Sequence, residues 1–205
     1  MKSSPYADAP RLPDGATVEL ASVLPGEGPL MLEIGPGRGA FALAYAALHP
    51  EHRVLALEIR RKHAALLDER FRKRESTRAR CFSEDARFAL PRLVPDACVQ
   101  YVAIHFPDPW WKKRHAKRLL VGEGFVTQLA RLVRPGGFVF AQTDVPDRAE
   151  QIANAFGVCA LFQRRIEAPG TEAGADSPFA PARSNRETRA IADGLPVYRM
   201  IFDRV

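Results

Sequence analysis

Cysteine is scarce in this chain of 205 residues, and its pattern disfavours several classes of protein. The three cysteines, Cys81, Cys98 and Cys159, form no CxxC pair, and no group of Cys and His has the spacing of a zinc site. An odd, widely spaced set of thiols is typical of reduced cysteines rather than of a disulfide scaffold. We therefore expect reduced thiols and no bound metal.

Long apolar runs are absent as well. No segment reaches the roughly 18 consecutive apolar residues that indicate a membrane-spanning helix. No apolar stretch follows Lys2, as it would in a secretory signal peptide. Together with the reduced cysteines, these absences predict a cytoplasmic protein without a membrane partner.

Acidic residues are outnumbered by basic ones, and the formal net charge is +6. The excess is concentrated: residues 53–80 hold ten Lys/Arg against four Asp/Glu, and residues 112–118 hold five Lys/Arg and no acid. A concentrated basic surface favours a polyanionic partner, although a solvated basic face has the same composition.

Short apolar runs alternate with longer amphipathic segments along the chain. They predict strands at 30–34, 54–57, 79–82, 98–106, 138–143 and 197–202, and helices at 40–48, 60–74, 125–133 and 148–156. Such alternation indicates βαβ units with right-handed crossovers. The predicted fold class is α/β, with a doubly wound and mostly parallel sheet.

The two ends of the chain differ from this regular middle. Residues 1–29 lack periodicity and predict an irregular, loose arm before a single domain of residues 30–205. Residues 167–183 are rich in Pro, Gly and Ala and predict a mobile loop, within a substrate-side segment of residues 167–194.

A glycine-rich motif, EIGPGRG, leaves the first predicted strand at residues 33–39 and enters the first predicted helix. Glycines let the backbone turn sharply and approach a ligand closely. The segment also satisfies the GxGxx(G/A) fingerprint of dinucleotide-binding proteins. On its own the motif is a weak signal, because a tight turn without a ligand has the same sequence.

Acidic residues occur at three successive strand ends: Glu33, Glu58 and Asp85. In an open α/β sheet, ligands bind at these ends. Glu33 suits a ligand that carries an amine and opposes a pyrophosphate, Glu58 suits ribose hydroxyls, and Asp85 suits an adenine amino group. As a set they favour S-adenosylmethionine over NAD, although each acid alone is more often a helix cap or a surface residue.

The most distinctive segment is IHFPDPWWKKRHAKR, at residues 104–118. Asp108 stands between two prolines, which restrict the backbone and hold its carboxylate on a stiff, extended segment. The two tryptophans that follow offer flat faces to a base or pack the loop, and the cations after them suit phosphates. The combination predicts chemistry on a nucleobase within a polyanion.

With these motifs, residues 30–150 resemble the bacterial tRNA (guanine-N7-)-methyltransferases. The most specific match is FPDPW and the basic residues after it, which are similar to the family's PDPW-KxxH-KR signature. The resemblance implies a Rossmann-like methyltransferase fold with an antiparallel last strand. It also implies S-adenosyl-L-methionine as cofactor, tRNA as partner, and methyl transfer to N7 of a guanine in the variable loop.

The resemblance assigns expected roles to individual residues. Asp108 matches the family's active-site aspartate. The positions that match cofactor-binding residues are Glu33, Gly35, Gly37, Glu58, Asp85 and again Asp108. The positions that match tRNA-contacting residues are Lys112, Asp144, Ser184 and Glu187.

The C-terminal segment departs from the family's pattern. Where the family carries Thr-Lys-Phe-Glu, this chain has Ser184, Asn185, Arg186 and Glu187. The hydroxyl and the carboxylate are kept, whereas the lysine charge and the aromatic ring are lost. The choice of substrate is therefore less constrained by the resemblance than the choice of cofactor.

The chemistry of guanine N7 agrees with what the chain lacks. N7 has a lone pair and no proton, so methyl transfer requires alignment, exclusion of water and tolerance of positive charge on the purine. No Ser-His-Asp set or Cys/His pair is evident, and none is needed. Asp108 is expected to hydrogen-bond the guanine edge or stabilise its growing charge, with Glu187 as a second candidate for that edge.

Three alternatives remain at this stage. The first is a methyltransferase that acts on another RNA or a non-RNA substrate, as the altered C-terminal segment allows. The second is a non-catalytic RNA-binding module with the same fold. The third, an NAD-linked oxidoreductase, is suggested only by the glycine motif and leaves the basic residues unexplained.

Overall fold

The computed structural model describes Tyr6 and residues 9–107, 119–165 and 177–205. In these residues the chain forms the strands β1 Val18–Glu19, β2 Leu30–Ile34, β3 Arg53–Leu57, β4 Ala79–Phe82, β5 Leu93–Val94, β6 Val99–His105, β7 Val133–Thr143, β8 Phe162–Arg164 and β9 Tyr198–Arg204. The helices are α1 Leu20–Val23, α2 Ala40–Leu48, α3 Arg61–Lys73, α4 Ala86–Ala89, α5 Glu123–Leu132, α6 Pro146–Gly157 and α7 Asn185–Ala192, with a short 3-10 helix at Leu90–Arg92.

Seven strands form one sheet in the order β4-β3-β2-β6-β7-β9-β8. The pairs from β4 to β7 are all parallel, whereas β9 runs antiparallel to both β7 and β8. The predicted α/β fold, a mostly parallel sheet with an antiparallel last strand, is confirmed. Among the described residues, none of the helices combines the length and the apolar character that a membrane span requires.

The direction of winding reverses beside β2, and this reversal positions the candidate site. The chain runs outward from β2 to β3 and β4 and then returns to β6 on the other side of β2. In open α/β sheets, ligands bind at the carboxyl ends of the strands at such a switch point. The segments that follow β2, β3, β4, β6 and β7 meet at this border of the sheet, which we call the carboxyl edge.

Apolar side chains cover both faces of the sheet. One cluster contains Leu32 and Leu55, and the other contains Met31 and Val54. Successive residues of a strand point to opposite faces, so β2 and β3 each contribute side chains to both clusters. Burial on two faces explains why the central strands have nearly continuous apolar sequences.

Residues 9–24 differ from the loose arm that the sequence predicts. Leu12, Val18 and Leu20 are buried in a core cluster, and β1 pairs in parallel with β5. The N–H of Leu12 donates to the carboxylate of Glu84, just after β4, at 3.1 Å. Elements of two to four residues are too short to produce a periodic pattern, which is why the sequence does not reveal them.

The C-terminal region also contains more structure than the sequence predicts, because neither β8 nor α7 is expected from periodicity. Residues 177–183, predicted as part of a mobile loop, bury Phe179 and Ala182 against the sheet. Residues 166–176, which include the rest of that predicted loop, lie outside the described residues.

Candidate active site

The glycine-rich turn after β2 presents bare backbone at the carboxyl edge. Gly35 and Gly37 have φ angles of 72° and 58°, in the left-handed region that favours glycine. Apart from neighbouring residues, no described atom lies within 4 Å of the place where a Cβ would stand on either glycine. The N–H of Gly35 donates to the carbonyl of Leu57 at 2.9 Å and ties the turn to β3. A ligand can therefore approach this backbone closely.

The third glycine of the motif has a different role. A Cβ on Gly39 would lie 2.3 Å from Cδ1 of Leu67, a buried residue of α3. Gly39 also has a φ of 78°, so a side chain is excluded both by space and by backbone conformation. This glycine allows the start of α2 to pack closely on α3, and it does not face the open side of the turn.

Glu58 joins the glycine turn to the end of β3. Its side chain is almost fully buried, and Oε2 accepts a hydrogen bond from the N–H of Gly37 at 2.8 Å. The other oxygen, Oε1, accepts from the N–H of Arg60 at 2.8 Å. Oε1 also accepts from Nε of Arg60 at 3.4 Å, so within the described residues it is Oε2 that keeps a free acceptor position. Glu58 is therefore fixed in orientation and can still accept hydrogen bonds from hydroxyl groups of a ligand.

Glu33 is fully buried within β2, and within the described part of the chain neither of its carboxylate oxygens has a hydrogen-bond partner. Burial and the nearby negative charge of Glu58 raise the pKa of Glu33 to about 8. Burying a carboxyl group that has no hydrogen-bond partner costs free energy, and a bound ligand that pairs with the group offsets this cost. Glu33 is thus suited to receive a cationic group.

Asp85 caps α4 and pairs with an arginine. Its Oδ1 accepts from the N–H of Arg87 at 3.0 Å, and the Arg87 guanidinium contacts both carboxylate oxygens, with Nη2 2.5 Å from Oδ2. The hydrogen bond from the Arg87 side chain lowers the pKa of Asp85. The carboxylate is ionised at neutral pH and lies at the carboxyl edge, as predicted, but the contact seen here is with Arg87.

A cavity of about 300 Å³ lies next to Asp85, between α4 and the start of α5. Ala86, Leu90 and Phe125 contribute apolar walls, and Arg87 and Gln128 contribute polar groups. Its mixed lining is compatible with a flat heterocycle that has one hydrogen-bonding edge.

The strand that leads to the predicted active-site segment ends in an unusual conformation. Phe106, directly after β6, has a φ of 50°, and its N–H donates to the carbonyl of Gln142 at 2.7 Å. A non-glycine residue in the left-handed region is strained, and such strain is found preferentially at functional sites. Asp108 and Lys112 lie outside the described residues, so their predicted roles stay predictions.

The three other predicted tRNA-contacting residues come together on the far side of β6. Ser184 caps α7, because its Oγ accepts from the N–H of Glu187 at 3.1 Å. Asp144, directly after β7, forms an ion pair with Arg186 in the first turn of α7. The structure therefore places the start of α7 over the end of β7, and it makes Ser184 part of the helix framework.

Glu187 lies in the interior, with 1% of its surface exposed. Its Oε1 accepts from Nη2 of Arg199 at 2.9 Å, and its Oε2 accepts from Nε2 of Gln142 at 3.1 Å. The amide nitrogen of Gln142 also lies 2.7 Å from Nδ1 of His105. No sequence motif indicates a role for His105, Gln142 or Arg199.

The only signal that could have indicated these three residues is the register of the strands. His105 is paired with Gln142 across β6 and β7, and Gln142 is paired with Arg199 across β7 and β9. Their separation along the chain hides this relation, because a single sequence does not give the register of distant strands. The S-x-x-E pattern at Ser184 is a local signal of a helix start that could have revealed α7.

Among the described residues, one group of side chains could hold a metal ion: His49, Glu51 and His52, whose ligand atoms lie within 4.8 Å of one another. The group precedes β3 and is therefore at the opposite border of the sheet from the carboxyl edge. The group contains no cysteine, so the Cys/His spacing of a zinc site does not reveal it. The expected absence of a metal stays a prediction.

Comparison with known proteins yields both a family and close relatives. A family model described as "Putative methyltransferase" matches residues 27–200. A tRNA (guanine-N(7)-)-methyltransferase of Myxococcus xanthus is 39% identical over 178 residues, which are 84% of this chain and 82% of the relative. A protein of the same name from Thermosynechococcus vestitus is 36% identical over 176 residues, with coverage of 86% and 80%.

Solved structures show the same fold at low sequence identity. The 16S rRNA methyltransferase KamB superposes with a TM-score of 0.58 at 16% identity and covers 87% of this chain and 89% of its own. The antibiotic-resistance methyltransferase Kmr superposes with a TM-score of 0.57 at 17% identity and covers 91% of both chains. These likenesses concern the fold alone.

Proposed function

Because the chain belongs to the tRNA (guanine-N(7)-)-methyltransferase family, we propose that it transfers a methyl group from S-adenosylmethionine to N7 of a guanine in tRNA. The guanine that we propose lies in the variable loop. The observation that carries the proposal is the carboxyl edge itself, where a buried carboxyl without partners lies next to an open glycine turn. We further propose that the protein works in the cytoplasm, where tRNA is available.

The residues of the carboxyl edge fit S-adenosylmethionine, which supplies an electrophilic methyl group on a sulfonium when bound. Glu33 would pair with the cationic part of the cofactor, and the bare turn at Gly35 and Gly37 would allow close approach. Glu58 would accept hydrogen bonds from the ribose hydroxyls, and Asp85 would accept one from the adenine amino group. A carboxylate at Glu33 would repel a pyrophosphate, which makes a dinucleotide a poor fit.

The reaction requires little proton chemistry from the protein. Guanine N7 attacks with its lone pair, so the protein has to align the base, exclude water and tolerate the positive charge that develops on the purine. Asp108 is the residue to which we assign that electrostatic role. In the sequence it follows β6, the strand that lies between β2 and β7 in the sheet.

The RNA would lie on the side of β7 and α7. Lys112 and the basic residues after it would contact phosphates, and Asp144 would border the same surface. Glu187 is buried in the present conformation, so contact with a guanine requires that the residues over it move. Ser184 would act by fixing the first turn of α7.

The decisive experiment combines enzyme, cofactor and substrate. We would incubate the purified protein with radiolabelled S-adenosylmethionine and an unmodified tRNA transcript and then map the methylated nucleotide. We expect N7-methylguanine in the variable loop. Cofactor binding without transfer to tRNA would contradict the proposed substrate and direct the search to other RNA or to protein acceptors.

The role of Asp108 is tested separately. We expect Asp108→Ala to lower kcat by at least about 100-fold, since a group aimed at developing charge typically contributes that much. Binding of S-adenosylhomocysteine, measured by calorimetry, should be largely retained. Unchanged turnover would show that Asp108 is only a turn residue between two prolines.

A further inference from the structure

We propose that His105, Gln142 and Arg199 are positioning residues that hold the RNA-side carboxylate of Glu187 and connect it, through one buried row of polar side chains, to the cofactor-side carboxyl of Glu33. The proposal rests on the proposed function, because it assigns these residues to the same methyl transfer. It gives a role in the reaction to three residues to which the proposed function assigns none.

The row follows from the register of three adjacent strands. His105 on β6 is level with Gln142 on β7, and Gln142 is level with Arg199 on β9. Paired residues at the same level of a sheet point to the same face. The three side chains are therefore neighbours on one face, and the first turn of α7 brings Glu187 over them.

The hydrogen bonds of the row are consistent with a single arrangement of protons. The amide nitrogen of Gln142 has two N–H groups, and it lies 3.1 Å from Oε2 of Glu187 and 2.7 Å from Nδ1 of His105. Both contacts form if Oε2 of Glu187 and Nδ1 of His105 accept. The ring proton of His105 is then on Nε2.

That remaining proton points toward the cofactor side. Nε2 of His105 lies 3.8 Å from Oε1 of Glu33, and neither atom has a hydrogen-bond partner among the described residues. The distance is too long for a hydrogen bond, but a small shift would close it. Burial lowers the pKa of His105 to about 3, so the imidazole is neutral and acts as a directed donor and acceptor.

Burial and neighbouring aromatic rings hold the side chains of the row in these hydrogen bonds. The ring of His105 packs against Phe41 at a centroid distance of 4.3 Å and against Phe140 at 5.9 Å. Gln142 is completely buried. Polar groups in such an environment are costly unless they are paired, so each member depends on its neighbour for its orientation.

Glu187 keeps free acceptor positions despite its two partners. A carboxylate can accept about four hydrogen bonds, and Arg199 and Gln142 supply one each. The row therefore fixes the direction of the carboxylate and leaves acceptor positions that the N–H groups of a base reach once the residues over Glu187 move. This is what a positioning function requires.

The test replaces the central residue of the row. Gln142→Met keeps the length and volume of the side chain and removes both N–H donors. We expect kcat/KM for tRNA to fall by at least about 10-fold, since misplacement of an orienting group by a fraction of an ångström has effects of this size. The dissociation constant for S-adenosylhomocysteine should be nearly unchanged.

A matched control comes from the same sheet. Gln100 is a buried glutamine on β6, close to the amino end of the strand, and donates to the carbonyl of Gly136 at 3.4 Å. Gln100→Met removes the same group at the opposite border of the sheet. It should change the melting temperature without the loss in kcat/KM.

A second variant provides a readout that a structural role would not produce. Gln142→Glu retains the shape but can donate a hydrogen bond only when it is protonated, and it faces the carboxylate of Glu187, the imidazole of His105 and the guanidinium of Arg199. Relative to the wild type, its activity should therefore recover as the pH is lowered. Arg199→Lys should retain part of the activity that Arg199→Met loses.

The outcomes separate the two proposals. If the wild type does not methylate tRNA, the proposed function is wrong and the row has no role in it. If the wild type methylates tRNA and a folded Gln142→Met variant is equally active, the proposed function stands and the positioning role is overturned. An equal loss in Gln100→Met, or a Gln142→Glu variant with the pH profile of the wild type, would also overturn it.

Discussion

The two halves of the carboxyl edge are built in different ways. In the half that we propose for the cofactor, here called the cofactor half, Glu58 binds the backbone of Gly37 and of Arg60, so this half is made of loops that directly follow parallel strands. In the half that we propose for the RNA, here called the RNA half, Glu187 is held by side chains of Gln142 and Arg199, which belong to other elements. The first half depends mainly on backbone geometry, and the second depends on long-range contacts between side chains.

The largest effect is expected from the centre of the cofactor half. Glu58→Ala removes the acceptor of two backbone N–H groups and the proposed acceptor of the ribose. The dissociation constant for S-adenosylhomocysteine should rise by about 100-fold, since hydrogen bonds to a charged group contribute roughly 1.5–3 kcal/mol each. Calorimetry measures this change, and tRNA binding should be little affected.

The neighbouring acid Glu84 provides the control for Glu58. It is also buried at the end of β4, but it binds the N–H of Leu12 and the side chain of Arg11. Glu84→Ala should lower the melting temperature and raise the dissociation constant far less than Glu58→Ala does, because the hydrogen bond between Ser83 and Pro10 still supports the loop. A loss of affinity as large as that of Glu58→Ala would show that the two acids have similar roles and would weaken the comparison.

The next largest effect is the pH dependence of cofactor affinity, which we expect from Glu33 in the cofactor half. The pKa of Glu33 is raised to about 8, so the free protein carries a proton there at pH 7. A cationic cofactor favours the carboxylate, and binding should therefore release a proton. The affinity should increase with pH up to about 8, by at most about 10-fold per pH unit, and then level off.

Proton release can be measured by calorimetry at pH 7 in two buffers with different heats of ionisation. Glu33→Gln should abolish it. The same shift affects folding: above pH 4.5 the unfolded chain loses this proton while the folded chain keeps it, so Glu33 destabilises the fold increasingly toward pH 8. Glu33→Gln should accordingly stabilise the protein more at pH 8 than at pH 5, and equal effects at both would contradict the assigned pKa.

The smallest effect is expected from the ion pair that joins α7 to the end of β7. Arg186 is partly exposed, and such a pair contributes at most about 1 kcal/mol. Arg186→Ala should raise KM for tRNA by only about two- to fivefold. Arg189→Ala is the control, because Arg189 lies on the same helix and pairs with Asp193, the residue directly after that helix. Equal effects of the two variants on KM would argue against a specific role of the pair.

The cofactor half could be predicted from the sequence because its signals are local. The predicted bounds of β2 and β4 agree with the structure, since each strand is a short apolar run that ends in glycine or in polar residues. The family resemblance was confirmed by the relatives. The acids Glu33, Glu58 and Asp85 lie at the carboxyl edge because that is where parallel strands end.

The RNA half could be predicted only in part because its contacts are not local. Gln142 and Glu187 are separated by 45 positions, and Arg186 and Asp144 by 42. The helix α7 has eight residues with two charged arginines and only two buried side chains, one of which is Glu187, so too few apolar residues mark it in the sequence. The buried position of Glu187 depends on Arg199, and no pattern near either residue indicates that they meet.

The segment before β1 has a consequence for handling the protein. The carbonyl of Pro10 accepts from the N–H of Ser83 at 2.6 Å, and Leu12 binds Glu84, so these residues lie against the loop that carries Asp85. Trimming the chain to the residues with clear secondary structure would remove this support and loosen the loop for which we propose contact with adenine. A shortened protein that crystallises well could thus be a poor enzyme for a reason that lies far from its RNA surface.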